Sequence, residues 1–272
     1  MYQTRDVTLG LHGFPILYSA EFYKNQVMEI KNNMDEICTS REMVLVLKAT
    51  NQMQKFLNIY EAGLKQIVTK LEILSKDFQF EKKHKPIETI KYRVKDPGSI
   101  IQKLERKGIE FSYKAVVENI KDVAGIRVTC PFIADVYEIA DLLCSQDDIT
   151  LIETKDYIEH PKPNGYRSLH LVVKIPVYFP EFRQEVVVEL QIRTVGMDSW
   201  ASLEHQLCYK KDYNKTEEVV AELKRCADVI ADNDRRMQRI ASKLCLFGEG
   251  GENRSVVNEK IYYLEMKDPG LQ

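Results

Sequence analysis

Two segments of the chain, 168–175 and 185–192, alternate apolar and polar residues with a period of two, which marks strands buried on one face only. In the first, Leu169, Leu171, Val173 and Ile175 point one way while Ser168, His170 and Lys174 point the other. In the second, Val186, Val188, Leu190 and Ile192 oppose Glu185, Glu189, Gln191 and Arg193. Such strands must bury the apolar face against helices, which leaves charged and hydrogen-bonding groups side by side on the other face. Two further strands are expected at 126–131 and 150–157, with a helix at 134–144 between them. This alternation of strands and helices predicts an α/β (α+β) fold, a sheet flanked by helices.

Helices are expected on both sides of that core. Residues 1–20, with Gly10, Gly13 and Pro15, read as an irregular lead-in. From about Glu21 to Ser75 there is no proline, and apolar residues recur at helical spacing (Phe56, Ile59, Tyr60, Leu64, Ile67, Val68, Leu71, Leu74). The spacing predicts two or three packed helices, with a break near 39–41 where Thr39-Ser40 precedes Glu42, and a weak point at Gly63. The run Glu81-Lys82-Lys83-His84-Lys85-Pro86 closes this region. Asp96-Pro97 then combines an N-cap acceptor with proline at the first helical position, and Ile100, Ile101 and Leu104 supply a buried side up to Gly108. A helix at 196–211 is expected to turn Trp200, Leu203 and Leu207 toward the core, followed by a charged helix at 216–246. Gly248, Gly250, Gly251 and Asn253 predict a flexible link to a short segment at 261–266. The expected organisation is an N-terminal helical region (1–80), a core (81–211), a C-terminal helix (212–247) and a flexible tail (248–272).

Composition narrows the function. The 272 residues are 44% apolar and 29% charged, the balance of a globular protein with a sizeable core. No stretch approaches the roughly 18–20 apolar residues a membrane span needs, so a cytoplasmic protein is expected. Cys38, Cys130, Cys144, Cys208, Cys226 and Cys245 lie scattered, without paired or metal-ligand spacing, and read as reduced thiols. The formal charge of −2 argues for small anions over nucleic-acid backbones as partners.

The residues that carry chemistry cluster around the strands. Asp122, at the entrance to the 126–131 strand, and Glu189, on the polar face of 185–192, are acids beside apolar segments. If they converge on one cleft they suit Mg²⁺ carrying nucleotide phosphates, and one could accept a proton from an attacking hydroxyl; the alternative is two ion-paired structural acids. Arg93 and Lys95 share an extended segment, and Ser99 and Lys103, four apart, share a helix face, so they could clamp a polyphosphate or form a solvated positive face. Arg93 and Arg127 each offer a guanidinium that can stack on an adenine ring. Asn164-Gly165 predicts a tight turn projecting Tyr166, as a base-stacking ring or as packing, with Lys155 and His170 placed to meet phosphate or sugar.

Four motifs occur in series: Arg93-Val94-Lys95-Asp96-Pro97, Asp122-Val123-Ala124-Gly125-Ile126-Arg127, Asn164-Gly165-Tyr166-Arg167-Ser168-Leu169-His170 and Glu189-Leu190-Gln191-Ile192-Arg193-Thr194. In order and spacing they resemble the synthetase domain of RelA/SpoT proteins over about 86–211, and Trp200-Ala201-Ser202-Leu203-Glu204-His205 resembles the stand-alone members, the small alarmone synthetases. The resemblance implies a nucleotidyltransferase-like mixed sheet that transfers the β,γ-diphosphate of ATP to the 3′-hydroxyl of GDP, GTP or GMP, making (p)ppGpp. It assigns Arg93 and Arg127 to adenine, Lys95, Ser99 and Lys103 to the ATP phosphates, and Asp122 and Glu189 to Mg²⁺, with Glu189 also the base. Tyr166 would stack on guanine, and Lys155, Asn164, His170, Gln191 and Glu204 would complete acceptor binding. It further implies a homo-oligomer, commonly a tetramer. With no His-Asp hydrolase pattern visible upstream, synthesis without hydrolysis is expected.

Two other readings stay open on the sequence. Toxic relatives modify the 3′ end of tRNA, and Lys82, Lys83, His84 and Lys85 could meet an RNA backbone. A catalytically inactive nucleotide- or RNA-binding regulator on the same fold is the other, against which Asp122, Glu189 and Tyr166 all stand.

Overall fold

A computed structural model describes residues 40–82, 84–209 and 217–244. The chain divides into two units, 1–52 and 53–272. Of the first, the described residues are helical; the second holds the sheet and the site.

Five strands pair in the order β1-β2-β5-β4-β3: β1 (Thr89–Val94), β2 (Ala124–Cys130), β3 (Thr150–Asp156), β4 (Leu169–Tyr178) and β5 (Arg183–Thr194). β2 and β5 run parallel at the centre, and the other pairings are antiparallel. The helices are α1 (Ser40–Lys82), α2 (Pro97–Glu105), α3 (Tyr113–Asn119), α4 (Ile133–Cys144), α5 (Val195–Tyr209) and α6 (Glu217–Lys243). A mixed α/β fold with helices flanking a mixed sheet is therefore what forms.

The period-two pattern decides the packing. Leu169, Leu171, Val173 and Ile175 of β4 and Val186, Val188, Leu190 and Ile192 of β5 are all buried, in one core with Leu64, Ile67 and Leu71 of α1 and Val136, Ile139 and Leu143 of α4. Each fully buried Leu or Ile contributes about 2 kcal/mol relative to exposure. α1 comes close to β5 at Gly63, where a Cβ would stand 2.7 Å from Val186 Cγ1. The glycine expected as a weak point is thus a contact point: Gly costs about 1 kcal/mol against Ala inside a helix, yet only it fits here.

The helix start expected near 39–41 is where the described helix begins, at Ser40, and from there one continuous helix of 43 residues runs past Gly63; the stretch 21–39 lies outside the described residues, as do the tail after 244 and its 261–266 segment. The extended segment holding Arg93 is an edge strand, β1, in which Ile90, Tyr92 and Val94 alternate with Thr89, Lys91 and Arg93, and Ile90 and Val94 pack against the core. Leu203 and Leu207 are 56% and 66% exposed, and only Trp200 of that trio is buried, since α5 meets the body along one narrow face. The connection from β3 to β4 runs through 157–168 and holds the tight turn expected at Asn164-Gly165, closed by the Gly165 N–H to Lys162 O (2.8 Å). The Asp96-Pro97 helix start holds, with the Asp96 side chain accepting from the Ser99 backbone N–H.

α6 straps the site side of the molecule with a small-residue face, Ala227, Ala231 and Ala241, and buried Asp234 and Gln238. Gln238 accepts from the Ala134 N–H at the start of α4, Asp234 accepts from Thr194 Oγ1 (2.5 Å), and Leu223 O accepts from Trp200 Nε1. Cys130, Cys144 and Cys226 are free thiols. Among the described residues no helix is long and apolar enough to cross a membrane.

Candidate active site

The strand register lines up the polar face. One row across the sheet reads Lys155, His170, Gln191, Arg127, Lys91; the next reads Glu153, Val172, Glu189, Gly125, Arg93. Directly paired residues point to the same face, so Arg93, Arg127, Glu189, Gln191, His170 and Lys155 share one floor. The space above Gly125 is open, since a Cβ there would meet no atom within 4 Å. Arg93 and Glu189 flank that gap.

Asp122 stands at one side of this floor, just before β2. Lys95, held at the end of β1 by its N–H to Val123 O (2.7 Å), and Lys103, from α2, each place an ammonium 2.7 Å from one oxygen of the Asp122 carboxylate. Burial pushes this carboxyl up, but the two ammonium groups of Lys103 and Lys95 outweigh it and hold it below the usual carboxylate range. Ser99 lies one turn before Lys103 on the same helix, its N–H on the Asp96 cap.

Glu189 lies at the sheet's centre. Gln191 Nε2 donates to its Oε2 at 3.3 Å, and His170 Nδ1 stands 3.7 Å from its Oε1, an electrostatic contact longer than a hydrogen bond. Burial and the nearby Asp122 charge raise this carboxyl, and His170 and Gln191 lower it; the net position is below its ordinary value. Both acids are therefore ionised near neutral pH while one quarter of each side chain stays accessible. Among the described residues no group of three or more His, Cys, Asp or Glu could hold a metal ion. Two carboxylates with room for phosphate oxygens is instead the donor set Mg²⁺ accepts.

On the other side an aromatic group is built from the 157–168 connection and β4. Tyr166, in the 157–168 connection, packs edge-on against Tyr157 and His170, with ring centroids 6.0 and 5.8 Å away. Lys162 Nζ lies over both tyrosine rings, 4.6 and 4.7 Å from their centroids. Asn164 Oδ1 accepts from the Tyr166 N–H (3.2 Å) and shapes the turn. Gly165 sits at φ +90, and a Cβ would meet Ala227 Cβ of α6 at 2.6 Å, so the turn is seated directly on that helix. Arg167 adds an ion pair to Asp228 of α6 at 2.9 Å. Lys155 is drawn to Glu153 (3.0 Å), which also receives Lys121 (2.9 Å). Glu204 is half-buried on α5, about 9 Å along the helix axis from Asp198.

Sequence reasoning missed the residue that ties the floor together. Arg193, 3% exposed, donates from Nη2 to Tyr166 OH and to Gln191 Oε1 (both 2.6 Å), and from Nε to Ser168 Oγ (3.3 Å). Its Nη1 donates to Asp198 Oδ1 (3.3 Å), the same oxygen that pairs with Arg127 Nη1 at 3.3 Å. Because a guanidinium only donates, the Tyr166 oxygen accepts from Arg193, and it also lies within hydrogen-bond reach of His170 Nε2, 2.8 Å away. Arg193 was visible as one more polar residue on β5, but its reach was not. Asp198 reads in the sequence only as an acid in a helix's first turn.

Comparison with known proteins places these residues in a family. The family model described as a region found in RelA/SpoT proteins matches residues 92–214. The GTP pyrophosphokinase YwaC of Bacillus subtilis is 41% identical over 186 residues, which cover 68% of this chain and 89% of YwaC. Among solved structures, small alarmone synthetase 1 from Bacillus subtilis bound to its product pppGpp matches with a TM-score of 0.64 and 35% identity, over 71% of this chain and 97% of that one. The same synthetase bound to AMPCPP matches with a TM-score of 0.59 and 31% identity, over 71% of this chain and 97% of that one.

Proposed function

The chain belongs to the RelA/SpoT family, and on that premise we propose that it is a GTP pyrophosphokinase, a small alarmone synthetase that makes (p)ppGpp from ATP and GDP or GTP. The observation that carries the reading is the pair of ionised, partly open carboxylates, Asp122 and Glu189, close enough for the Asp122 charge to act on Glu189, with open space at Gly125 beside Glu189. A general base and a phosphate-bearing metal need that combination.

ATP lies on the Asp122 side. Arg93 and Arg127 bracket the adenine, and Lys95, Ser99 and Lys103 hold the phosphates, the two lysines passing from Asp122 to the polyphosphate. Asp122 and Glu189 are the residues that hold Mg²⁺, which when bound neutralises phosphate charge. The acceptor lies on the aromatic side, with guanine on Tyr166 and with Lys155, Asn164, His170, Gln191 and Glu204 around it; Asn164 also shapes the Tyr166 turn. Glu189 takes the proton of the acceptor 3′-hydroxyl. The 3′-oxygen forms a bond to the β-phosphorus of ATP, and the bond from that phosphorus to the oxygen bridging to the α-phosphate breaks. AMP leaves with the bridging oxygen, and the acceptor gains a 3′-diphosphate. Orientation of the two nucleotides and neutralisation of charge do most of the work in such transfers. The protein acts as a homo-oligomer in the cytoplasm.

The test is incubation with γ-labelled ATP, Mg²⁺ and, separately, GMP, GDP, GTP or deacylated tRNA. Label on a guanine nucleotide with AMP released supports the reading. Label on tRNA alone makes the protein an RNA-modifying relative, and no transfer to any acceptor leaves a binding protein.

A further inference from the structure

We propose that Arg193 and Asp198 form a positioning bracket that holds the donor-side arginine and the acceptor-side tyrosine in fixed relation, so that the two nucleotides meet in register. The inference rests on the pyrophosphokinase reading above and adds two residues to it, neither of which touches substrate or metal in that scheme.

The geometry is specific. Asp198 Oδ1 pairs at 3.3 Å with Arg127 on one side and Arg193 on the other. Arg193 continues the connection through Nη2 to Tyr166 OH and Gln191 Oε1. Its guanidinium carbon also lies 5.1 Å from the centre of the Tyr166 ring, so one side chain touches both the ring and its hydroxyl. Arg127, Gln191 and Arg193 come from β2 and β5, whose register is fixed by the parallel ladder. Tyr166, by contrast, comes from a long connection that has no ladder, and Arg193 fastens its ring to the sheet.

A planar fork with several donors can serve Tyr166, Gln191, Ser168 and Asp198 at once; an ammonium cannot. Burial makes the arrangement demanding, because a shared carboxylate between two guanidiniums leaves an uncompensated charge if it is removed. Asp198 adds support by lying in the first turn of α5, where a negative charge is favoured by the helix dipole.

The bracket predicts a split between substrates. Arg193→Lys keeps the charge and the Asp198 pairing but removes the donor to the Tyr166 hydroxyl, so binding of GDP measured by calorimetry weakens by roughly tenfold, the factor for one charged hydrogen bond, while binding of AMPCPP changes less than about twofold. Asp198→Asn releases Arg127 as well and weakens both ligands. Tyr166→Phe, which keeps the ring and loses the hydroxyl, costs no more GDP affinity in the Arg193→Lys background than Arg193→Lys alone.

Equal weakening of both ligands by Arg193→Lys, or additive effects of Arg193→Lys and Tyr166→Phe, overturns the bracket. If Arg193→Lys loses its fold by circular dichroism, the cycle of Asp198→Asn with Tyr166→Phe reads the same coupling, and additivity there overturns it. Wild-type transfer with no such split sinks the bracket alone. A wild type that binds both nucleotides without transferring, with variants that show the split, sinks the function and leaves the bracket standing.

Discussion

Asp122 and Glu189 on the site floor, and Asp135 and Asp234 under the helices, are four half-buried or buried acids that the protein treats in opposite ways. Cations and polar donors hold the first two below the usual carboxylate range despite burial. Burial raises the second two, although Asp135 faces His84 (2.9 Å) and the Phe132 N–H, and Asp234 faces Thr194. Asp135 and Asp234 are 0% and 9% exposed and accept hydrogen bonds that fasten helices. Desolvation raises all four, so what separates a site carboxylate from a structural one here is the positive or polar company that outweighs it, together with an opening to solvent.

The largest effect expected from this contrast is Glu189→Gln. It keeps the shape and removes the base, so steady-state transfer falls by roughly 10²–10⁴-fold while thermal unfolding stays within a few degrees. A large loss of stability with little loss of transfer would put Glu189 in the structural class. Asp234→Ala should do the reverse. It leaves the Thr194 hydroxyl at the start of α5 without its acceptor, costing about 1–3 kcal/mol in denaturant unfolding, while transfer per folded molecule stays within a few-fold.

The smallest effect is in the pH response of stability. The raised carboxyl of Asp135 brings stability that is complete below the unfolded value near ~3.9 and is lost as pH rises through its folded value. The lowered carboxyl of Asp122 brings stability that is complete above that value and is lost as pH falls through its folded value. Relative to wild type, the urea midpoint of Asp135→Asn should therefore recover on going from about pH 4 toward 7. That of Asp122→Asn should recover on going from about pH 4 downward. Parallel slopes for the two variants would erase the distinction.

Much of the site was legible because its residues sit on regular elements. Arg127, Glu189, Gln191 and His170 occupy strands whose period of two was plain, so their common face followed from counting alternate positions. Asp96-Pro97 announced α2, and the helix then carried Lys103 to Asp122. β1 was read only as an extended segment around Arg93, although Thr89, Lys91 and Arg93 alternate there with Ile90, Tyr92 and Val94. The Tyr166 turn was legible as a turn but not as a seat on α6, because Gly165 meets Ala227 only through tertiary packing.

The amino-acid sequence by itself determined which side chains share a strand face and where acids, lysines and arginines stand along the elements, because alternation and capping are local consequences of backbone geometry. Only the tertiary structure decided that two ammonium groups converge on Asp122, that α6 seats the Tyr166 turn, and that Arg193 reaches Tyr166 while sharing Asp198 with Arg127. These contacts join different elements, in most cases 19 or more residues apart in the chain. The sheet register and the docking of α5 and α6 bring them within hydrogen-bond reach, and no local pattern in the sequence encodes such a distance.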